Sequence, residues 1–285
     1  MSAATGPPAP APPRASVGSS FHYSFGLLPA ERRRGIETVY AFCRAADDAA
    51  DGDIPDPPRA AAEIARYRQE IARCYDGTPS LPLTRRLKQT IDRFEIPRRP
   101  FDDLLDGVEM DLRRTRYATF EELSVYCRRV ASAVGLMCLP IFGARDEGSR
   151  DYADRLGIAL QLTNILRDLR QDAARGRLYL PVEEMRVFGY TEEALLRSER
   201  SNPFLRLMRH QADRARRQFG AAAAALPAAD RPRLLAAQVM AAIYRRLLDR
   251  IERSGFEVFA GRIRVPRLQQ IGLALRARFT GRAGE

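Results

Sequence analysis

The sequence lacks tryptophan, contains one lysine, Lys88, and has two histidines, His22 and His210. With so few histidines, we expect neither a His-rich metal centre nor a nucleophile activated by histidine. The four cysteines form no Cys-x-x-Cys pair and show no zinc-like spacing. The sequence therefore predicts reduced, mostly buried thiols.

Long hydrophobic runs are also lacking. The longest apolar stretch, residues 130–144, is interrupted by Gly135, Pro140 and Gly143, which indicates a buried helix rather than a membrane span. Residues 1–16 are mostly Ala and Pro without the apolar segment of a signal peptide. We expect a disordered tail over 1–16 and one all-α domain over 17–285, in the cytoplasm.

The net charge of +11 comes almost entirely from arginine, which supplies 46 of the 47 basic residues. Such a charge is compatible with nucleic acid, an anionic membrane or a phosphorylated substrate. Because the arginines are spread along the chain without a recognition motif, we expect no nucleic-acid partner.

Helical periodicity dominates after residue 20, and no segment shows the alternation of a half-buried strand. Gly and Pro residues delimit the apolar stretches. Helices are predicted over residues 31–51, 59–75, 83–94, 99–113, 120–142, 150–172, 202–225 and 231–254.

The first informative segment ends the helix over 31–51. Asp47 and Asp51 are one turn apart and share a face, whereas Asp48 points about 100° away from Asp47. Arg44 precedes Asp47 by about one turn. Two carboxylates on one face repel each other unless a cation lies between them.

A second polar stripe lies in the helix over 150–172. Gln161, Asn164, Asp168 and Asp172 occur at positions i, i+3, i+7 and i+11, while leucine and isoleucine occupy the other faces. Such a stripe must face water or line a cavity. Each stripe alone is compatible with a solvated face.

Taken together, the two stripes favour a magnesium site. Mg²⁺ binds through a few carboxylates together with substrate phosphates. Arg44 and Arg167 are suited to bidentate contact with phosphate oxygens. Two opposed acidic helix faces could therefore hold several ions against a diphosphate.

Six segments, in this order along the chain, resemble the squalene/phytoene synthase family. They are residues 20–23 with 27–29, 40–51, 106–112, 126–135, 161–172 and 176–181. Several long motifs in one order are far more specific than a single Asp-rich motif. One departure is the stretch Val17-Gly18-Ser19, where many relatives carry a histidine.

The resemblance implies an all-α isoprenoid-synthase bundle with a central cavity. It implies Mg²⁺, or Mn²⁺, held by Asp47, Asp48, Asp51, Asn164, Asp168 and Asp172. It implies that isoprenoid diphosphate is bound by Ser20, Tyr23, Arg44, Gln161, Asn164, Arg167, Tyr244, Arg262 and Arg264. Tyr126, Arg44 and Arg167 are the implied catalytic residues, although Tyr126 is also compatible with a core tyrosine.

Within the family, the patterns at 19–23 and 109–135 are most similar to bacterial presqualene diphosphate synthases of hopanoid pathways. This resemblance implies head-to-head condensation of two farnesyl diphosphates with release of diphosphate. No Gly-rich dinucleotide motif is present, so no NADPH is expected for this half-reaction. The lipid product is compatible with peripheral contact at the inner face of the membrane and with transfer to downstream pathway enzymes.

Three alternatives stay open on the sequence alone. The chain could be a phytoene synthase acting on two geranylgeranyl diphosphates, or a squalene or dehydrosqualene synthase. It could also be a family member that only binds a partner or an isoprenoid, although the intact aspartates disfavour this. A basic peripheral membrane module is the third alternative.

Overall fold

The computed structural model describes residues 24–50 and 57–280. These residues form α-helices and one π-helical turn, and their only bridge between extended segments joins Arg116 to Leu178. The helices are α1 Ala30–Ala50, α2 Pro57–Asp76, α3 Pro82–Phe94, α4 Arg99–Arg113, α5 Phe120–Cys127, α6 Ala133–Phe142, α7 Gly148–Ala174, α8 Val182–Phe188, α9 Glu192–Leu196, α10 Asn202–Ala225, α11 Leu235–Arg253 and α12 Arg267–Thr280.

The predicted all-α class is confirmed, and the long helices lie within a few residues of their predicted bounds. The helix predicted over 120–142 is instead divided by the π-helical turn Arg128–Ser132. Three helices were missed: α8 and α9 are short, and α12 has apolar residues on an exposed face. The predicted tail over 1–16 lies outside the described residues.

Helix α7 is the central element of the bundle. Its 27 residues extend for about 40 Å, and α6, α10, α11 and the π-helical turn pack around it. A Cβ on Gly157 would lie 2.5 Å from both the backbone N and the Cα of Ser132. This position therefore requires glycine, because the π-helical turn approaches the α7 backbone directly.

A buried carboxylate fixes the N-terminal end of α7. Asp230, between α10 and α11, is fully buried and accepts hydrogen bonds of 2.8 Å from Arg145 N, Asp146 N and Ser149 Oγ. Burial alone would raise the pKa of Asp230, but these hydrogen bonds lower it. The carboxylate thus joins the two halves of the chain at one end of α7.

Among the described residues, the segment Phe120–Phe142 alone is long and apolar enough to cross a membrane. This is weak evidence, since a core helix passes the same test. Here Cys127, Met137 and Ile141 are buried in the core, while other residues of the segment line an internal cavity. All four cysteines are buried and unpaired, as predicted.

Candidate active site

An apolar cavity lies between the long helices of the bundle. It encloses about 1190 Å³, including the space at its open mouth. Polar residues of α1, α7 and α11 line part of it, and the rest of the lining is mostly apolar. The polar lining residues are Tyr40, Arg44, Asp47, Tyr152, Gln161, Asn164 and Tyr244.

Exposure indicates where the cavity opens. On α1 the lining runs from Ile36 to Asp47, about 16 Å along the helix. Arg44 is exposed and Asp47 is half-buried, so the cavity opens at this end of the α1 lining. Part of each predicted polar stripe lines the cavity, whereas Asp168 and Asp172 do not.

The first stripe is divided by the structure. Asp47 is half-buried and lines the cavity. Asp48 is exposed and does not line it; its Oδ1 accepts a hydrogen bond of 3.0 Å from Nη2 of Arg44. Asp48 is therefore placed to orient Arg44 rather than to face the cavity. Asp51 lies outside the described residues.

Asn164 has an unsatisfied oxygen in the second stripe. Its Nδ2 donates to Oε1 of Gln161 at 3.4 Å, while its buried Oδ1 has no hydrogen-bond partner. A buried carbonyl oxygen without a donor is costly unless a ligand satisfies it. An amide oxygen at the mouth is a suitable ligand for a hard cation such as Mg²⁺.

Asp168 lies within a cluster of arginines. Arg167 donates to both of its carboxylate oxygens, and Arg262 Nε lies 3.0 Å from its Oδ1. Arg167 also hydrogen-bonds to the hydroxyl of Tyr244. Because Arg262 is 94 residues from Asp168 in sequence, the fold alone brings the two together.

Asp172, one turn further along α7, lies near two other carboxylates. Burial, with the nearby carboxylates of Asp168 and Asp111, raises its pKa to about 7. A divalent cation would relieve this repulsion. Among the described residues, no three His, Cys, Asp or Glu side chains converge as a preformed metal site. This arrangement fits Mg²⁺, which uses few carboxylates and completes its coordination with phosphate and water.

Tyr126 lies outside the cavity wall. Its hydroxyl donates to Oδ2 of Asp111 at 2.9 Å, and Tyr179 donates to Oδ1 of the same carboxylate at 2.7 Å. The two rings stack with centroids 5.0 Å apart. Burial and the adjacent Asp111 carboxylate raise the pKa of Tyr126 well above its ordinary value.

Asp111 and Tyr179 are residues that sequence reasoning left without a role. Both lie in segments that carry the family resemblance, and this was the available signal. Their proximity to Asp172 appears only after folding, since α4, α7 and the segment after α7 must meet.

The remaining predicted binding residues differ in their surroundings. Gln161 and Tyr244 line the cavity, and Arg262 contacts Asp168. Arg264 is exposed and does not line the cavity. Ser20 and Tyr23 lie outside the described residues.

Comparison with known proteins agrees with this geometry. A phytoene synthase from Arthrospira platensis is 36% identical over 265 residues, which cover 88% of this chain and 85% of the relative. A dehydrosqualene synthase crystal structure superposes with a TM-score of 0.81 at 29% identity, covering 91% of this chain and 90% of that one. Squalene synthase HpnC from Alicyclobacillus acidocaldarius gives 0.75 at 30% identity, covering 83% and 89%.

The fold and its cavity define an all-α protein of the isoprenoid-synthase type. The family model for squalene/phytoene synthase matches residues 14–269. The chain belongs to the squalene/phytoene synthase family and is an enzyme of the prenyltransferase type.

Proposed function

We propose that this enzyme joins two farnesyl diphosphates head to head, forming presqualene diphosphate and releasing diphosphate. The observation that supports this proposal is an apolar cavity lined by carboxylate, amide and guanidinium groups from two helices, α1 and α7. The apolar part suits isoprenoid chains, and the polar mouth suits their diphosphates.

Magnesium is the cofactor that we propose for the mouth, with manganese as a substitute. Asp47, Asn164, Asp168 and Asp172 are the described residues that would hold it. Bound Mg²⁺ would neutralise the charge that develops on the departing diphosphate.

Arginines at the mouth would bind the diphosphate directly. Arg44, Arg167 and Arg262 lie beside the carboxylates and can each donate several hydrogen bonds to phosphate oxygens. In the structure, Arg167 and Arg262 are paired with Asp168. Substrate binding would therefore exchange carboxylate for phosphate as their acceptor.

The proposed reaction begins when the C–O bond of the first substrate breaks and diphosphate leaves with the bonding electrons. The double bond of the second substrate attacks the resulting allylic cation, and loss of a proton closes the cyclopropane. Released diphosphate is the proton acceptor that we favour, because Tyr126 lies outside the cavity wall and its raised pKa keeps its hydroxyl protonated. The apolar wall excludes water that would quench the cation.

Aromatic side chains in the lining support the choice of farnesyl chains. Phe25, Phe142 and Tyr152 line the cavity, and we propose that their rings form its floor. The α1 lining extends for about 16 Å from Asp47 to Ile36. An extended C15 chain suits this length, whereas a C20 chain is one isoprene unit longer and would have to bend.

The second candidate is phytoene synthase activity on two geranylgeranyl diphosphates. It is favoured by the names of sequence relatives, such as the 15-cis-phytoene synthase from Synechococcus elongatus, which is 35% identical over 268 residues, 88% of this chain and 85% of the relative. The solved structures reported above are instead named for squalene and dehydrosqualene synthesis.

Product analysis by mass spectrometry separates these candidates. Purified protein is incubated with Mg²⁺ and either farnesyl or geranylgeranyl diphosphate, with and without NADPH. We expect a C30 cyclopropyl diphosphate from farnesyl diphosphate that does not depend on NADPH. A C40 product as the preferred one would refute the farnesyl assignment, and squalene formed only with NADPH would refute the half-reaction.

A further inference from the structure

The C-terminal helix α12 exposes a continuous apolar stripe. Leu268, Ile271, Leu275 and Phe279 are 83%, 37%, 50% and 83% exposed. They occur at positions i, i+3, i+7 and i+11, so they follow one face of the helix for about 16 Å. Single exposed hydrophobic residues are common, but four on one helix face mark a contact surface.

The opposite face of α12 is already packed against the body of the protein. Gln270, Ala274 and Ala277 are buried, and Nε2 of Gln270 donates to the carbonyl of Val265 at 2.8 Å. At 100° per residue, the centre of the exposed stripe lies about 140° from the centre of this buried face. The stripe therefore faces outward while the helix is docked.

Arginines flank the stripe on both sides. By helical position, Arg267 and Arg278 lie along one edge and Arg276 along the other, and all three are exposed. The helix contains no acidic residue. Within the described part of the chain, none of these arginines forms an ion pair with a neighbour.

We propose that α12 is a membrane-docking helix that inserts its apolar stripe into an anionic lipid surface. An interfacial helix combines an apolar face with basic residues at its edges, and the arginines then contact lipid phosphates. A second copy of this chain is a poorer occupant, because a two-fold contact would place the same arginines against one another without acidic partners.

A groove beside α12 fits the same lipid chemistry. Arg276 and Thr280 lie at its rim with Arg231 and Arg245, while its wall includes aliphatic and aromatic side chains. Tyr152 and Leu156 line both this groove and the catalytic cavity. One layer of side chains thus separates this groove from the cavity proposed for the substrates. The membrane proposal does not depend on which isoprenoid diphosphate is condensed.

Vesicle sedimentation of the full chain tests this surface. Vesicles of phosphatidylcholine alone are compared with vesicles that also contain phosphatidylglycerol, over a series of salt concentrations. We expect binding to the anionic vesicles that weakens with salt. Leu275→Glu with Phe279→Glu should lower the partition by roughly tenfold or more, and Arg276→Gln with Arg278→Gln should weaken its salt dependence.

Val187→Glu is the matched control, because Val187 is a hydrophobic residue that is 79% exposed on a different helix, α8. It should bind vesicles as the wild type does. The α12 variants should still release diphosphate from soluble substrate. Retained activity would show that these variants fold, and it separates the membrane test from the test of the proposed reaction. The proposal would be overturned if the wild-type protein did not sediment with anionic vesicles, or if the α12 variants sedimented with them as the wild type does. A wild-type dimer that dissociates when α12 is changed would also overturn the proposal, since a second copy of the chain would then cover the stripe.

Discussion

Asp47 and Asp48 are adjacent residues in different surroundings. Asp47 lines the cavity, whereas Asp48 is exposed and paired with Arg44. We expect Asp47→Ala to lower the turnover number by roughly 100-fold or more, because a carboxylate proposed to hold the cation is lost. Asp48→Ala should lower it only a few-fold, through a less ordered Arg44. Diphosphate release measures both, and equal losses would contradict the separation of the two side chains.

Asn164 allows function and stability to be separated. Its buried Oδ1 has no partner in the folded chain, so Asn164→Leu removes an unsatisfied acceptor. We expect the free energy of unfolding to stay the same or rise by about 1 kcal/mol. The Mg²⁺ concentration needed for half-maximal activity should rise roughly tenfold, as expected when a ligand of the ion is lost.

Thr163→Val is the control for Asn164. Thr163 is the preceding residue, is fully buried and donates to the carbonyl of Ala159, away from the cavity lining. This variant should leave the Mg²⁺ requirement unchanged. An Asn164→Leu enzyme with a normal Mg²⁺ requirement would show that the amide oxygen does not meet the cation.

At the scale of the helices, Glu70 joins α2 to α3. Its carboxylate accepts hydrogen bonds from Ser80 N at 2.9 Å, Leu81 N at 3.1 Å and the hydroxyls of Ser80 and Thr84, so it caps a helix that lacks its own side-chain cap. Burial alone would raise the pKa of Glu70, but these hydrogen bonds lower it to about 2. The charged form therefore stabilises the fold above pH 4.5, and this contribution disappears as pH falls toward 2.

We predict that Glu70→Gln lowers the free energy of unfolding by roughly 2 to 3 kcal/mol at pH 7. The difference from wild type should shrink as pH falls from about 4.5 toward 2, as measured by urea unfolding. Glu63→Gln on the same helix is the control, because Glu63 forms only a solvent-exposed ion pair with Arg66. It should change stability by less than about 1 kcal/mol. A Glu70 effect that is constant with pH would contradict the capping role.

Local pattern predicted the long helices because each has to bury one face. The local sequence pattern failed where tertiary packing decides the backbone. Residues 120–142 carry no local signal for the π-helical turn, which lies where Gly157 closely approaches Ser132. Tyr126 shows the same limit within the site. Its place in the chain indicated function, but its contact with Asp111 and Tyr179 depends on three separate segments meeting.

At the scale of the whole molecule, the spacing within single helices predicted that polar side chains of α1 and α7 line a cavity, and residues from both helices do so. The extent of the cavity was not predictable, because it depends on where several helices end. The proposed floor combines Phe25, before α1, with Phe142 at the end of α6 and Tyr152 near the start of α7. These residues are far apart in sequence and share no motif.

Tyr152 is the residue of the proposed floor that most directly tests chain-length selection. It is 3% exposed, separates the catalytic cavity from the groove beside α12, and its hydroxyl has no hydrogen-bond partner. Tyr152→Ala would join the two spaces and admit a longer chain, so kcat/KM for geranylgeranyl relative to farnesyl diphosphate should rise by roughly tenfold or more. Tyr152→Phe keeps the ring and should leave the ratio unchanged, and thermal unfolding shows whether the Ala variant remains folded. If a folded Tyr152→Ala enzyme keeps the wild-type kcat/KM ratio, Tyr152 does not set the chain length. Removal of the ring would then have enlarged the cavity without changing the choice of substrate.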